Sequence, residues 1–440
     1  MKYSSLLGHT VEVLEEIRRS DVPADSVIGQ FFRSRKYLGS RDRRFIAETA
    51  YGTLRHRLRC DEALRRAGAD PAHMTSDGRS LLEALAFLVS VEGRLDVTGE
   101  DVAELLSGGD ATTESKAVSD ILNRLRTDPP DVTTLEPAVR YSFPAWLVDR
   151  LRAEYGPVEA ELILSSLNEP APLSVRVNSL KATVDECRAR LSKEGIETEK
   201  GRYAPWTLVI PKRLNIFGLA AFKDGWFEVQ DEGSQLLALL VDPKPTAKVL
   251  DACAGAGGKT LAFSALMKNR GEIVAADIHA YRLEELRKRS RRAGAFNIRI
   301  RQTEHTSDLA GEHAGSFDVV FVDAPCSGVG TIRRNPGMKW TISERTVAEL
   351  SRKQSMILEQ ASSLVRPGGL LVYATCTLLA QENEGVVDGF LASHSDFQPK
   401  VPVERAAELG LSEAIMGTAI KLLPHRYGTD GFFCAILARS

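Results

Sequence analysis

The 440-residue sequence has few cysteines, no long apolar run and almost no net charge. Its 6 cysteines are widely spaced, without a CxxC pair or a Cys/His cluster at metal-ligand spacing, which argues against a disulfide framework and a metal site. No apolar stretch reaches the roughly 18 residues that a membrane span needs, and charged residues interrupt the first twenty positions, where a signal peptide would be apolar. We therefore expect a cytoplasmic protein with free thiols that binds neither membrane nor metal.

Basic residues are unevenly distributed behind a formal net charge of −2. Arginine-rich runs occupy residues 33–59 and 282–294, and Arg333 and Arg334 follow the motif around Cys326. A basic run is usually a solvated helix face, but several runs in an otherwise acidic chain favour a surface that contacts RNA phosphates. The RRNP and KW segments after Cys326 are expected to add charge and an aromatic surface near that residue.

Hydrophobic periodicity divides the chain into three predicted domains. Apolar spacing near 3.6 residues, without strand-like alternation, predicts an all-helical domain over residues 1–130. A linker rich in Pro and Thr leads to a small α+β domain over 140–232, with strands at LSVRVN, WTLVIP and GWFEVQ. Residues 233–440 alternate apolar strands with helices, and RPGG is expected to be a turn before the strand LLVYATC. This alternation predicts a Rossmann-like α/β fold with a mostly parallel sheet.

A glycine-rich turn, DACAGAGGKT, follows the first strand of the last domain. A Walker A loop is excluded because the position five residues before Gly258 holds Cys253, and a dinucleotide fingerprint lacks its third glycine because that position is Thr260. Asp277 ends the next strand, where an acid can accept both ribose hydroxyls of a nucleoside. The pattern favours S-adenosylmethionine, a nucleoside without a pyrophosphate. The alternative is a plain tight turn with Asp251 as an N-capping residue.

Two cysteines, Cys326 in VDAPC and Cys376 in YATC, each follow a strand and a small polar turn. A lone cysteine in such a place is usually a small buried hydrophobe. A pair at the ends of neighbouring strands could serve methylation at C5 of cytosine, because a thiolate that adds to C6 activates C5 and a second group can assist elimination. Asp323, at the end of the apolar strand FDVVFVD, is placed to bind the N3/N4 edge of the base.

These motifs resemble the glycine loop, the PC motif and the TC motif of the RNA (cytosine-5)-methyltransferases that use S-adenosylmethionine. FEVQDEGSQ is similar to the segment that leads into the catalytic domain of that family. FRSRKYLGSRDRRFIAETAYGTLR resembles the NusB-like helical domain of its bacterial members that act on 16S ribosomal RNA, and LSVRVNSLK resembles their middle domain. The resemblance covers nearly the whole chain and implies C5 methylation of a cytosine in RNA, most closely 16S ribosomal RNA, either naked or in an early ribosomal particle.

The resemblance also implies a role for each motif residue. Cys376 would be the nucleophile that bonds to C6, Cys326 would assist elimination, and Asp323 and Lys259 would complete the catalytic set. The cofactor would be bound by Cys253, Ala254, Gly255, Ala256, Gly257, Gly258, Lys259, Asp277, Glu304 and Asp323. Two positions depart from the family pattern. Ala256 stands where proline is usual, which predicts a less preorganised turn, and the acid after the third strand is either Glu304 or Asp308, of which Glu304 is nearer the strand.

Two other functions fit parts of the sequence. A non-catalytic RNA-binding or assembly factor could retain a cofactor fold with the altered glycine loop and the NusB-like segment. A methyltransferase for transfer RNA or for protein would share the glycine loop, although a protein substrate would give the pair Cys326 and Cys376 no purpose.

Overall fold

A computed structural model of the chain describes residues 1–20, 22–73, 75–94, 96–106, 111–212 and 214–440. The chain divides into two compact units. Unit 1 comprises Met1–Glu169 and Ile332–Thr341, and unit 2 comprises Pro170–Thr331 and Ile342–Ser440. The division into three domains, with boundaries near residues 130–140 and 232–233, remains a prediction.

Unit 1 is built from helices, as the periodicity of its sequence predicts. They are α1 (Tyr3–Arg18), α2 (Ala24–Ser34), α3 (Ser40–Arg55), α4 (Arg57–Arg66), α5 (Ser76–Ala86), α6 (Gly99–Leu106), α7 (Ala111–Thr127), α8 (Pro137–Tyr141), α9 (Ala145–Tyr155) and α10 (Pro157–Leu167). One group of buried side chains surrounds Leu85 and Leu88, and another surrounds Phe31 and Ile46. Burial of these apolar faces stabilises the helices far more than their intrinsic propensities do.

The amino-terminal part of unit 2 is a small antiparallel sheet packed against two helices. Its elements are β1 (Leu173–Val177), α11 (Val184–Lys193), β2 (Glu199–Lys200), β3 (Thr207–Ile210), α12 (Ala220–Lys223) and β4 (Phe227–Val229), and the strand order is β2-β3-β1-β4. Val175, Leu208 and Phe227 lie in its core. Helix α11 begins with a capping box in which Thr183 and Glu186 each accept the other's backbone N–H.

The larger sheet of unit 2 has helices on both faces. Its elements are α13 (Glu232–Val241), β5 (Lys248–Asp251), α14 (Gly258–Leu266), β6 (Glu272–Asp277), α15 (Ala280–Ala293), β7 (Ile298–Gln302), α16 (Ala310–His313), β8 (Phe317–Asp323), α17 (Glu344–Ser362), β9 (Val365–Thr375), α18 (Glu384–Ser393), β10 (Phe397–Pro399), α19 (Val403–Glu408), β11 (Ile415–Met416), β12 (Ala419–Leu422), α20 (Pro424–Tyr427) and β13 (Phe432–Arg439). The strand order is β11-β12-β13-β9-β8-β5-β6-β7, and β10 pairs with β13.

The run β9-β8-β5-β6-β7 is parallel, and β10 to β13 form an antiparallel extension. Strand β8 shows why the sequence produces this arrangement. Val320 and Val322 point into one buried cluster, and Val319 and Phe321 point into the cluster on the opposite face. A strand that is apolar on both faces is stable only between two layers of helices. The predicted Rossmann-like fold is confirmed.

The RPGG segment does not form the predicted turn but lies inside β9. Phe317 pairs with Val365 and Val319 pairs with Leu370, so the register of β8 against β9 shifts between these two pairs. The extra residues are absorbed by an irregularity in which Gly368 has φ +73°. Such a bulge bends a strand without ending it.

Part of the predicted basic surface lies inside the fold. Arg289 and Arg292 on α15 form ion pairs with Glu228 of β4, with N–O distances of 3.0 and 2.6 Å. In unit 1, Arg333 and Lys339 are buried. The predicted surface that contacts RNA phosphates therefore does not include these four cations, two of which are paired with Glu228 and two of which are buried.

Candidate active site

The predicted site residues meet at one edge of the larger sheet. Strands β5, β6 and β8 end at Asp251, Asp277 and Asp323, and β9 ends one residue before Cys376. Because these strands are parallel, their carboxyl ends and the loops that follow share this edge. A cavity of about 550 Å³ opens there.

The glycine turn between β5 and α14 depends on two left-handed residues. Gly255 has φ +54° and Gly257 has φ +84°. A Cβ atom on Gly257 would lie 2.0 Å from Cδ1 of Leu286, so α15 packs too closely for any side chain at this position. The carbonyl of Ala256 accepts a hydrogen bond of 2.7 Å from Arg289. Helix α15 thus supplies a fixed contact at Ala256, where the sequence predicts a less preorganised turn.

Four of the predicted cofactor residues line the cavity, namely Cys253, Asp277, Glu304 and Asp323. The two oxygens of Asp277 accept backbone N–H bonds from Gly255 at 2.9 Å and from His279 at 2.8 Å. A carboxylate offers about four lone-pair positions, so both oxygens can accept further bonds. Ala254 and Gly255 to Gly258 form the turn beside the cavity, and this arrangement of acids and backbone suits a nucleoside.

Asp251 lies beneath the glycine turn and is buried. One of its oxygens accepts a 2.6 Å hydrogen bond from Thr260, and the other has no protein partner. Burial raises the pKa of Asp251 to about 7, although the hydrogen bond from Thr260 acts in the opposite direction. An unpartnered buried oxygen is costly without a ligand, which is consistent with a binding site next to it.

Lys259 and Asp323 form an ion pair at the floor of the site. The Lys259 ammonium donates to Asp323 Oδ2 at 2.6 Å, and the lysine is only 9% exposed. Burial by itself lowers the pKa of Lys259, but attraction to Asp323 and to Cys376 raises it, and the net shift is upward. A cation therefore stands beside both the Asp323 carboxylate and the Cys376 thiol.

Cys326 and Cys376 lie side by side in the turns after β8 and β9. Their Sγ atoms are 3.3 Å apart, and the backbone N–H of Cys376 donates to Cys326 Sγ at 3.3 Å. Both residues are partly exposed and their thiols are free. The hydrogen bond with Cys376, followed by burial, raises the pKa of Cys326 well above that of an ordinary thiol. The structure thus brings together the two thiols that the sequence separates by fifty residues.

The acids Glu304 and Asp308 differ in position. Glu304 lines the cavity. Asp308 instead holds the local turn, because its Oδ2 accepts from Thr303 Oγ1 at 2.8 Å and from the backbone N–H of His305 at 3.1 Å.

Sequence reasoning missed one wall of the cavity. Lys353, Met356, Ile357 and Gln360 on α17 line it. The helical spacing of these positions is the one signal that the sequence offered. In the structure, Met356 is 59% exposed. Within the described residues, no group of three or more His, Cys, Asp or Glu side chains could hold a metal ion. Over the same residues, no helix is both long and apolar enough to cross a membrane.

Comparisons with known proteins agree with this geometry. Residues 238–438 match a family model described as 16S rRNA methyltransferase RsmB/F, and residues 143–217 match the ferredoxin-like domain of RsmF/B-like methyltransferases. A probable ribosomal RNA small subunit methyltransferase B from Synechocystis is 31% identical and covers 97% of this chain and 98% of its own. Its counterpart from Bacillus subtilis is also 31% identical, with 98% coverage of both chains. The crystal structure of PH0851 matches with a TM-score of 0.81 at 26% identity, over 99% of this chain and 98% of that one.

Proposed function

Because this chain belongs to the RsmB/F family of 16S rRNA methyltransferases, which use S-adenosylmethionine, we propose that it methylates C5 of a cytosine in 16S ribosomal RNA through a transient bond between Cys376 and C6 of the base. The observation that carries this proposal is the 3.3 Å separation of the Cys326 and Cys376 sulfur atoms. Asp323 and Pro325, which lie just before Cys326 in the chain, line the cavity.

The chemistry explains the need for a thiol. C5 of cytosine is too weak a nucleophile to take a methyl group directly. When the Cys376 thiolate adds to C6, the ring becomes enamine-like and C5 becomes nucleophilic. S-adenosylmethionine supplies the electrophilic methyl group. The C5 proton then passes to water, the C6–S bond breaks, and the ring regains its aromatic character.

Three further side chains support these steps. Asp323 binds the N3/N4 edge of the cytosine, where a proton stabilises the adduct. Lys259 fixes Asp323 through their 2.6 Å contact and places a positive charge near Cys376. Cys326 donates an S–H hydrogen bond to the sulfur that departs from C6, which lowers the cost of its returning charge.

The cofactor residues take roles that follow from their positions. Asp277 binds the ribose hydroxyls, Glu304 lies near the adenine, and Cys253 and Ala254 with the glycines to Gly258 contribute backbone and shape. The Ala256 carbonyl is held by Arg289, so the turn remains defined without proline.

We assign RNA binding to the two amino-terminal segments, residues 1–130 and 140–232. In unit 1, Arg33, Lys36 and Arg41 are exposed around Tyr37, which is itself 66% exposed. Such residues contact phosphates and stack on bases without reading much sequence. The target cytosine must be unstacked or single-stranded to enter the site.

Two single substitutions test the proposal. Cys376→Ala should abolish methyl transfer from labelled S-adenosylmethionine to 16S ribosomal RNA. Cys326→Ala should accumulate a protein–RNA adduct that survives a denaturing gel, because elimination is impaired. Cys187→Ala is the matched control, since Cys187 is a buried thiol on α11 in the core of the small sheet.

The assay should use naked 16S RNA and small-subunit particles in parallel, and bisulfite sequencing should locate the product. Normal turnover by Cys376→Ala would end the assignment. Absence of heat on calorimetric titration with millimolar S-adenosylmethionine would favour a non-catalytic RNA-binding protein instead.

A further inference from the structure

A buried carboxylate links the two cysteine turns. Glu382 has no exposed surface, and its Oε1 accepts a 2.8 Å hydrogen bond from the backbone N–H of Ser327, next to Cys326. Its Oε2 accepts from the Ser327 hydroxyl, which in turn lies 2.9 Å from the hydroxyl of Thr377, next to Cys376. One acid therefore holds the residue that follows each cysteine.

The surroundings fix Glu382 in place. Gln354 of α17 donates through Nε2 to Glu382 Oε1 and to the carbonyl of Pro325, at 2.9 Å each. The carbonyl of Glu382 accepts a 2.6 Å hydrogen bond from the Tyr373 hydroxyl. Three neutral donors, two from Ser327 and one from Gln354, therefore hold this one carboxylate. The negative charge is thus stabilised by neutral groups and remains close to Cys326.

The charges around the two thiols are opposite in sign. Cys326 faces the Glu382 carboxylate, the Tyr373 hydroxyl and the Cys376 thiol. Cys376 faces the ammonium of Lys259, which is paired with Asp323. The backbone N–H of Cys376 lowers the pKa of Cys326, but the hydrogen bond with the Cys376 thiol, burial and the Glu382 charge together raise it. A negative charge shared by the pair is therefore more stable on Cys376.

We propose that Glu382 is a positioning residue that makes the two thiols unequal, because it clamps the two turns together and its buried charge keeps the proton on Cys326 while Cys376 ionises. When the pair ionises, one proton leaves to solvent and the other stays on Cys326, where it is shared with the Cys376 thiolate. This inference rests on the proposed function for its purpose, since it selects the nucleophile, but its physical content concerns the protein alone.

The test is the pH dependence of alkylation in the reduced full-length protein, without RNA or cofactor. Iodoacetamide is added at a series of pH values, and the Cys326 and Cys376 peptides are quantified by mass spectrometry. In the wild type, Cys376 should react first at every pH. Glu382→Gln keeps one carbonyl acceptor for Ser327 and removes the charge, so the ratio of Cys376 to Cys326 rates should fall about tenfold or more.

Two further variants keep the result interpretable. Gln354→Met removes the side chain that holds Glu382 Oε1 in place, so the carboxylate is less fixed beside Cys326 and the ratio should fall by a smaller factor. This variant decides the question if Glu382→Gln does not fold. Glu384→Gln is the matched control. Glu384 lies two positions after Glu382 and pairs with Lys421, so this variant should leave the ratio unchanged.

An unchanged ratio in folded Glu382→Gln, or in Gln354→Met, would overturn the proposal, as would faster alkylation of Cys326 in the wild type. The alkylation rates do not depend on methylation. The proposal for Glu382 can therefore fail while Cys376→Ala still abolishes activity. A purely structural role for Glu382 would alter both alkylation rates together and leave their ratio and pH profile unmoved.

Discussion

Glu304 and Asp308 follow the same strand but have different surroundings. Glu304 lines the cavity, whereas Asp308 Oδ2 accepts hydrogen bonds from the backbone N–H of His305 and the hydroxyl of Thr303. We therefore propose Glu304, rather than Asp308, as the acid that contacts the cofactor.

This difference predicts unequal effects of two isosteric changes. Glu304→Gln should weaken binding of S-adenosylmethionine by about 5- to 30-fold, because a charge-assisted hydrogen bond contributes about 1–2 kcal/mol. Asp308→Asn should change the dissociation constant by less than about threefold, since it only loosens the turn. Isothermal titration calorimetry measures both, and a reversed order would reassign the contact to Asp308.

Individual site residues could be predicted from the sequence where a reactive residue type lies at or just after the end of a predicted strand. Asp323 ends β8, Cys326 lies in the turn after it, and Cys376 directly follows β9, so parallel pairing implied their shared edge. Glu382 was not predictable as a link between the turns. It lies in a short 3-10 segment, and its burial depends on Gln354 from α17, which is distant in sequence.

At the scale of elements, the start of α14 is the most constrained feature of the site. Gly257→Ala forces a left-handed residue against Leu286 and should cost about 2–4 kcal/mol, from backbone strain together with overpacking. Gly255→Ala meets the same kind of strain, but no heavy atom lies within 4 Å of its added Cβ, so about 1–2 kcal/mol is expected.

Thermal unfolding of the two variants distinguishes these costs. The midpoint temperature for unfolding of unit 2 should decrease clearly more for Gly257→Ala than for Gly255→Ala. Equal shifts would mean that α15 does not hold the glycine turn as tightly as the 2.0 Å approach of Leu286 implies.

Strands and helices of the parallel run were predictable because apolar runs alternate there with amphipathic segments. The antiparallel extension was not, although FFCAILAR in β13 is apolar enough for a central strand. The other strands of the extension, β10, β11 and β12, are short, and a short segment carries too little pattern to be distinguished from a loop. The RPGG error has another cause, since Gly and Pro can mark a bulge as well as a turn.

At the scale of the molecule, the segment Ile332–Thr341 belongs to unit 1 although it follows the Cys326 turn in the chain. Lys339 is fully buried and donates to the carbonyls of Arg55 at 2.9 Å and Ser142 at 3.0 Å. Burial lowers the pKa of Lys339 well below its usual value. The sequence predicts that this KW segment lies at the surface, because a lysine is rarely buried in a core with only neutral acceptors around it.

The burial of His56 in the same region should make the stability of unit 1 sensitive to acid. Burial, together with the charge of Lys339, lowers the pKa of His56 to about 3. The unfolded chain binds a proton near pH 6.5 and the folded chain does not, so the free energy of unfolding should decrease as pH falls below 6.5. His56→Phe should remove about 1–2 kcal/mol of this decrease by pH 5. Hydrogen exchange of α3 and α4 measures it, and identical pH profiles would contradict the assigned burial.

The most direct test of the central claim is to trap the bond between protein and base. RNA that carries 5-fluorocytidine at the target position should become linked to the wild-type protein in the presence of S-adenosylmethionine, because fluorine cannot leave C5 as a proton does. Peptide mapping should place the link on Cys376, with a methyl group on the same base. A link on Cys326, or methylation without any link, would contradict the account.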